Sequence, residues 1–232
     1  MDRQIWREIR RQALHLLGAL LVLPILFMDF SGALKVLVGI ILLSLFAIWL
    51  YEKRQMRSKY FETLISSMKF PSINKKHLLA NAQKFEKKLL SSFLQQFRRR
   101  KEHQPFYAAF AFLLTSTICL ILFGKAIAIF AILALAFGDS ASALIGKKFG
   151  QTKLPWNKDL SAEGSIAFFA AASLTIYIFL IWQPQLAIIS AIVTAVVAAL
   201  IGMFAETIPT VNDNTTIPLA IGAALFLLAL LS

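Results

Sequence analysis

The sequence predicts an all-α integral membrane protein of about seven transmembrane helices with a cytoplasmic N-terminus. Of its 232 residues, 58% are hydrophobic and only 16% are charged, and the mean hydropathy is +0.70. Charged residues make up about a quarter of an ordinary soluble domain. We therefore expect a single polytopic membrane domain over residues 1–232, with the bilayer as its solvent.

Seven apolar runs are close to the length of a membrane-crossing helix, which is about 17–25 residues. They cover residues 13–30, 32–51, 106–124, 126–146, 165–182, 186–205 and 217–231. The first run is long for the core of a signal peptide and lacks a convincing cleavage site, so we interpret it as a retained helix.

Lysine and arginine residues are distributed unevenly between these runs. Four precede the first run, fourteen lie in 52–105 and four in 147–164, whereas the opposite side carries only Lys35 and Lys125. Because cytoplasmic loops retain positive charge, the N-terminus, these two segments and the 206–216 loop are expected in the cytoplasm. Topology thus accounts for the net charge of +12 without nucleic acid as a partner.

The basic segment 52–105 also contains apolar residues spaced by three or four positions. They are Leu78, Ala82, Phe85, Leu89, Phe93 and Phe97. This spacing predicts a cytoplasmic amphipathic helix, which either lies against anionic headgroups or covers the helix bundle.

Asp139 stands inside the fourth apolar run, where an ionisable side chain is costly and usually marks a functional site. A continuous helix places Asp139, Ser142 and Gly146 on one face with little side-chain bulk, followed by Lys147 and Lys148. Small residues of this kind often serve helix packing, and a structural ion pair is the alternative for the carboxylate. An acid followed by lysines favours a phosphate or metal-phosphate site.

Three further acids, Glu163, Glu206 and Asp213, belong to loops on the same predicted side. Each has a structural alternative. Ser161 could cap a helix that carries Glu163 in its first turn, and the residues after Asp213 are typical of a helix start with Pro218 in the first turn. Carboxylates gathered on one side are also what Mg²⁺ needs when it binds a nucleotide.

Near the N-terminus, Arg7, Arg11 and His15 follow one another at steps of four and lead into the first span. Anchoring at the cytoplasmic face explains Arg7 well. It does not explain His15, which needs a partner inside the apolar run, and for Arg11 both anchoring and function stay open.

Four motifs occur in order along the chain. They are Glu8-Ile9-Arg10-Arg11 with His15, Gly138-Asp139 with Gly146 and Phe149-Gly150, Ala162-Glu163-Gly164-Ser165, and Asp213-Asn214-Thr215-Thr216-Ile217-Pro218. Together they resemble the polyprenol, dolichol and phytol kinases and the related CTP-dependent diacylglycerol kinases. The resemblance implies transfer of the γ-phosphoryl group of a nucleotide, CTP in several members, to the hydroxyl of a lipid.

The chain departs from the family pattern in two places. Related sequences often have Arg-Lys where this one has Arg11-Gln12, and Lys-Ser where it has Leu160-Ser161. Lys158, which lies two residues upstream, is the expected substitute for that lysine.

The resemblance implies that Arg11, Asp139 and Gly146 occupy positions the family needs. We expect Asp139, with Glu163 or Asp213, to hold Mg²⁺ or to orient the hydroxyl of an isoprenoid alcohol such as dolichol, polyprenol, phytol or geranylgeraniol. Asp139, Arg11 and Glu163 are the expected catalytic residues. The expected nucleotide-binding residues are Gly146, Lys147, Lys148, Lys153, Lys158 and Asn214.

Two other functions stay open from the sequence. A cytidylyltransferase with the same nucleotide site would make a CDP-lipid and release pyrophosphate. A small transporter would use Asp139 and His15 as intramembrane polar groups. In the kinase interpretation the active face is cytoplasmic, at the plasma membrane of a prokaryote or the endoplasmic reticulum of a eukaryote.

Overall fold

A computed structural model shows an all-helical membrane protein. It describes residues 9, 12, 16–52, 84, 107–182, 187–209 and 212–231. Within these residues the only β pairing is an isolated antiparallel bridge between Lys153 and Ser161. The all-α prediction is therefore confirmed for the part of the chain that the structure describes.

Six α-helices are named here in chain order. A short 3-10 turn over Ala19–Leu21 leads into α1 (Val22–Phe27), and then follow α2 (Phe30–Glu52), α3 (Tyr107–Phe149), α4 (Ala162–Leu180), α5 (Ile188–Glu206) and α6 (Asp213–Leu231). Among the described residues, the last four of these helices are long and apolar enough to cross a membrane. Leu16–Phe27 and Phe30–Phe46 are shorter apolar helical stretches.

Helix α3 is 43 residues long and is interrupted at Gly124, whose backbone has φ 80° and ψ 177°. Side chains other than that of glycine rarely allow this conformation. The interruption falls between the predicted runs 106–124 and 126–146. Next to it, Lys125 Nζ donates a 2.7 Å hydrogen bond to the backbone oxygen of Met28, in the connection between α1 and α2.

Small residues bring the helices close together around the core. Helix α5 packs against both α4 and α6, and a Cβ atom placed on Gly202 of α5 would come within 2.7 Å of the Ile221 side chain of α6. Phe168 of α4 is fully buried and lies directly over Gly138 of α3. Close packing through glycine and alanine is typical of helices in a bilayer.

The chain divides into two compact units, one of Met1–Ile41 with Ala108–Ser232 and one of Leu42–Tyr107. The predicted amphipathic helix of segment 52–105 lies outside the described residues. The single domain over 1–232 stays a prediction. All of the site described below belongs to the first unit.

Candidate active site

Asp139 lies buried in α3, with 8% of its surface exposed, and its neighbours Ser140 and Ser142 are buried as well. Gly138 permits the Phe168 ring of α4 to pack against the α3 backbone at this level. The helix is thus held closely to the bundle at the turn that carries the carboxylate. The burial of Asp139 agrees with its predicted place inside an apolar run, and its functional role stays a prediction.

Glu206 ends α5 and is only 3% exposed. Its carboxylate shares a hydrogen bond with the Ser142 side chain and interacts electrostatically with Asp139 and Asp213. The second carboxylate oxygen of Glu206, Oε2, has no hydrogen-bond partner. Three acidic residues from three different helices therefore converge, and Glu206 is the one that links the other two.

Asp213 is brought to this cluster by the way α6 begins. Asn212 caps the helix, since its Oδ1 accepts a 3.0 Å hydrogen bond from the Asn214 backbone N–H and its backbone oxygen accepts from Thr215 N at 2.8 Å. An acid in the first turn is favoured by the positive end of the helix dipole. Helix α6 therefore starts at Asp213, and Pro218 lies in its second turn rather than in the first turn, where the sequence had placed it.

Gly146 and Gly164 let α3 and α4 cross at close range. A Cβ atom on Gly164 would be 3.3 Å from Gly146 Cα and 3.1 Å from the Ser142 backbone oxygen. Gly146 therefore has a clear packing role. Its expected contact with nucleotide phosphates stays a prediction.

Glu163 takes part in a different arrangement from the acidic cluster. Both of its carboxylate oxygens accept a hydrogen bond from the Thr152 backbone N–H, at 3.1 and 3.3 Å. Ser161, just before α4, caps that helix by accepting a 3.2 Å hydrogen bond from Gly164 N, as the sequence predicted. Glu163 thus closes the loop between α3 and α4, whereas Asp139 and Asp213 interact electrostatically with Glu206.

The four predicted phosphate-binding lysines have exposed side chains, two in the last turn of α3 and two in the loop that follows it. They are Lys147, Lys148, Lys153 and Lys158. Asn157 Nδ2 donates a 3.3 Å hydrogen bond to the backbone oxygen of Thr207, the residue after Glu206. The basic loop is therefore tied to the same end of α5 that carries the acidic cluster.

Gln12 joins the N-terminal segment to the site. It is 2% exposed, and its Oε1 accepts a 3.1 Å hydrogen bond from the hydroxyl of Ser140, next to Asp139. The preceding residue, Arg11, and also His15 lie outside the described residues. The sequence identified Gln12 only as a departure from the family pattern, and its position beside Asp139 had no signal in the sequence.

Within the described ranges, no group of three or more histidine, cysteine or acidic residues could hold a metal ion. Asp139, Glu206 and Asp213 are near enough to interact electrostatically, but they do not form a complete set of metal ligands. Any ion here would need further oxygen ligands, which phosphates and water commonly supply.

These features define an all-α membrane protein with a buried acidic cluster and a basic loop at one end of its helices. Part of the chain is similar to a probable chloroplastic phytol kinase of Triticum aestivum, with 35% identity over 99 residues, covering 39% of this chain and 33% of that protein. It is also similar to probable phytol kinase 3, chloroplastic, of Glycine max, with 29% identity over 123 residues, 49% of this chain and 37% of the relative. These matches confirm the resemblance to the polyprenol and phytol kinases.

The matched regions span about a third of each relative's length. No protein-family model matches the chain, and no solved structure does.

Proposed function

We propose that this chain is a membrane kinase that transfers the γ-phosphoryl group of a nucleotide to the hydroxyl of a prenyl alcohol. The observation that carries the proposal is the convergence of Asp139, Glu206 and Asp213 beside a loop of exposed lysines. Similarity to two probable phytol kinases supports the class of acceptor. Phytol, geranylgeraniol, dolichol and other polyprenols are the candidate alcohols, and CTP is the candidate donor.

Phosphoryl transfer depends mainly on positioning and on stabilising negative charge. A bound nucleotide triphosphate carries about four negative charges, part of which Mg²⁺ neutralises. Asp139 and Asp213 would hold that ion together with phosphate oxygens and water, because hard oxygen ligands suit it. The lysines of the loop and Arg11 would bind phosphate oxygens, with Asn214 next to Asp213.

A lipid substrate also explains why the site lies at the ends of membrane helices. The prenyl chain stays in the bilayer and the hydroxyl meets the nucleotide at the interface. We propose seven spans, since the break at Gly124 divides α3 into two lengths. The distribution of lysine and arginine residues supports a cytoplasmic position for the N-terminus and the site. The stretches 107–123 and 125–149 would be about 25 and 37 Å long at 1.5 Å per residue.

The proposal is tested by product analysis with the purified protein in detergent or vesicles. CTP or ATP labelled at the γ-phosphate is incubated with Mg²⁺ and a panel of phytol, geranylgeraniol, a polyprenol, dolichol and diacylglycerol. We expect label in a lipid monophosphate, together with one equivalent of nucleoside diphosphate.

Other products would refute the kinase. Pyrophosphate release with formation of a CDP-lipid would identify a cytidylyltransferase, which uses the same nucleotide but attacks its α-phosphorus. Solute uptake into sealed vesicles without nucleotide would identify a transporter.

A further inference from the structure

The loop between α3 and α4 lies at one end of three membrane-length helices. It begins after Phe149, the last residue of α3, and ends before Ala162, the first residue of α4. Asn157 Nδ2 also ties it to the Thr207 backbone oxygen, just beyond α5. All three helices are long and apolar enough to cross a membrane, so a loop fixed to their ends lies at the surface of the bilayer.

Hydrogen bonds within the loop give it a defined shape. Leu154 N donates to the backbone oxygen of Leu160 at 3.3 Å, and Leu160 N donates to that of Asn157 at 3.1 Å. Asp159 N donates to Asn157 Oδ1 at 3.3 Å. Trp156 belongs to this bonded stretch and is nevertheless 59% exposed. The exposed indole ring is therefore part of the folded structure of the loop.

Positive charge and aromatic surface are concentrated around Trp156. The four exposed lysines named above are the only basic residues in 126–232. Asp159 is the only acid in 147–161. Phe149, just before the loop, is 52% exposed. The loop and the end of α3 therefore combine a net positive charge with exposed aromatic rings.

An anionic lipid surface matches both features. Tryptophan is enriched where a membrane meets water, because its ring is apolar and its indole N–H needs a polar partner. Lysines beside a membrane span are attracted to the phosphates of anionic lipids. Water would leave the apolar surface of the indole ring unburied, whereas the headgroup region covers it.

We propose that the loop between α3 and α4 docks onto anionic lipid headgroups. Trp156 lies in the headgroup region, and Lys153 and Lys158, on either side of it along the chain, contact lipid phosphates. Lipid and nucleotide phosphates offer the same anionic oxygens, so a nucleotide that binds these lysines takes the place of the lipid at them. The docking itself needs no nucleotide and is independent of the proposed kinase function.

The test measures the depth of Trp156 in vesicles without nucleotide. Trp6, Trp49 and Trp182 are replaced by phenylalanine, and the protein is placed in equal parts of phosphatidylglycerol and phosphatidylcholine. Bromine atoms near the carbonyl end of the acyl chains should quench Trp156 at least about twofold more strongly than bromine atoms near the methyl end, since the ring lies at headgroup level. Acrylamide in the water should quench it less than free tryptophan. The difference in emission between wild type and Trp156→Phe gives the same comparison if the triple replacement does not fold.

The charge requirement has its own variants. Replacing both Lys153 and Lys158 with glutamine, or all phosphatidylglycerol with phosphatidylcholine, should weaken the quenching by bromine near the carbonyl end. High salt should do the same. The control is a protein that retains only Trp182, which is 80% exposed and follows the other end of α4 in a part of the chain without basic residues. Its quenching should respond less to phosphatidylglycerol.

Four results would overturn the proposal. Quenching by acrylamide as strong as that of free tryptophan, with none by brominated lipid, would place Trp156 in water. Stronger quenching by bromine near the methyl end would place it in the bilayer core, and protection from both quenchers would mean that another protein surface covers it. An equal response of Trp156 and Trp182 to phosphatidylglycerol would show that the lysines do not direct the docking. None of these measurements uses catalysis, so a protein that phosphorylates no alcohol refutes the proposed function and not the docking.

Discussion

Replacing Gly164 with alanine should weaken the crossing between α3 and α4 that positions Ser142. The new methyl group would meet the Ser142 backbone oxygen at 3.1 Å, Gly146 Cα at 3.3 Å and Ser161 Oγ at 3.3 Å. Two of these three contacts are with backbone atoms, which cannot rotate away, so the helices must separate. Overpacking of this kind costs about 1–3 kcal/mol, and the gain of about 1 kcal/mol expected from replacing a helical glycine with alanine offsets only part of that range.

Gly39→Ala is the matched control, because a Cβ atom at Gly39 in α2 would meet nothing within 4 Å. It keeps the gain in helix propensity and lacks the clash, so the two variants should differ by about 2 kcal/mol in free energy of unfolding. Denaturant unfolding in mixed micelles measures that difference. We also expect Gly164→Ala to lower kcat, since Ser142 moves with the α3 backbone. Equal stability of the two variants would refute the packing argument.

Three other changes test separate parts of the structure. Asp139→Asn should lower phosphoryl transfer by at least about 100-fold, the order of loss when transition-state charge is no longer stabilised, because asparagine would bind less well the Mg²⁺ that neutralises the phosphates. Insertion and folding should stay intact, and near-normal turnover of the purified variant would show that the site is wrong. Gly124→Ala should destabilise the fold by about 1–3 kcal/mol because alanine is strained at that backbone conformation, and an unchanged unfolding midpoint in detergent would contradict this. Ser161→Ala should lower the free energy of unfolding by about 1 kcal/mol, because the α4 cap is lost. Denaturant unfolding measures this change, and an unchanged free energy would show that the cap contributes nothing.

The positions of the helices could largely be predicted from apolar runs, and their ends could not. The fifth run was predicted over 165–182, whereas α4 covers Ala162–Leu180 and starts three residues earlier, because Ser161 caps it. The seventh run was predicted over 217–231, whereas α6 begins at Asp213 because Asn212 satisfies its first N–H groups. Helices in a membrane protein extend into polar sequence wherever a cap is available, and a hydropathy window does not detect that.

The site was predicted in part, because sequence order does not reveal which loops meet. Asp139 was expected to hold an ion with either Glu163 or Asp213; the structure brings Asp139 and Asp213 near Glu206, and the ion itself stays a prediction. Glu206 itself was recognised only as one acid at the same membrane face, since a single carboxylate after an apolar run has no local signature. Its importance follows from its bond to Ser142, a contact between α3 and α5 that only the folded chain contains.

Glu163 helps to hold the loop between α3 and α4 in place. Its bonds to Thr152 N and the tie between Asn157 and Thr207 hold the same loop at two points, one at the start of α4 and one at the end of α5. The loop that carries Lys153 and Lys158 is thereby tied to the end of α5 that carries Glu206. In the proposed kinase, Asp139 and Asp213 would hold the ion, and Glu163 would help to position the lysines that bind the phosphates; its expected catalytic role stays a prediction.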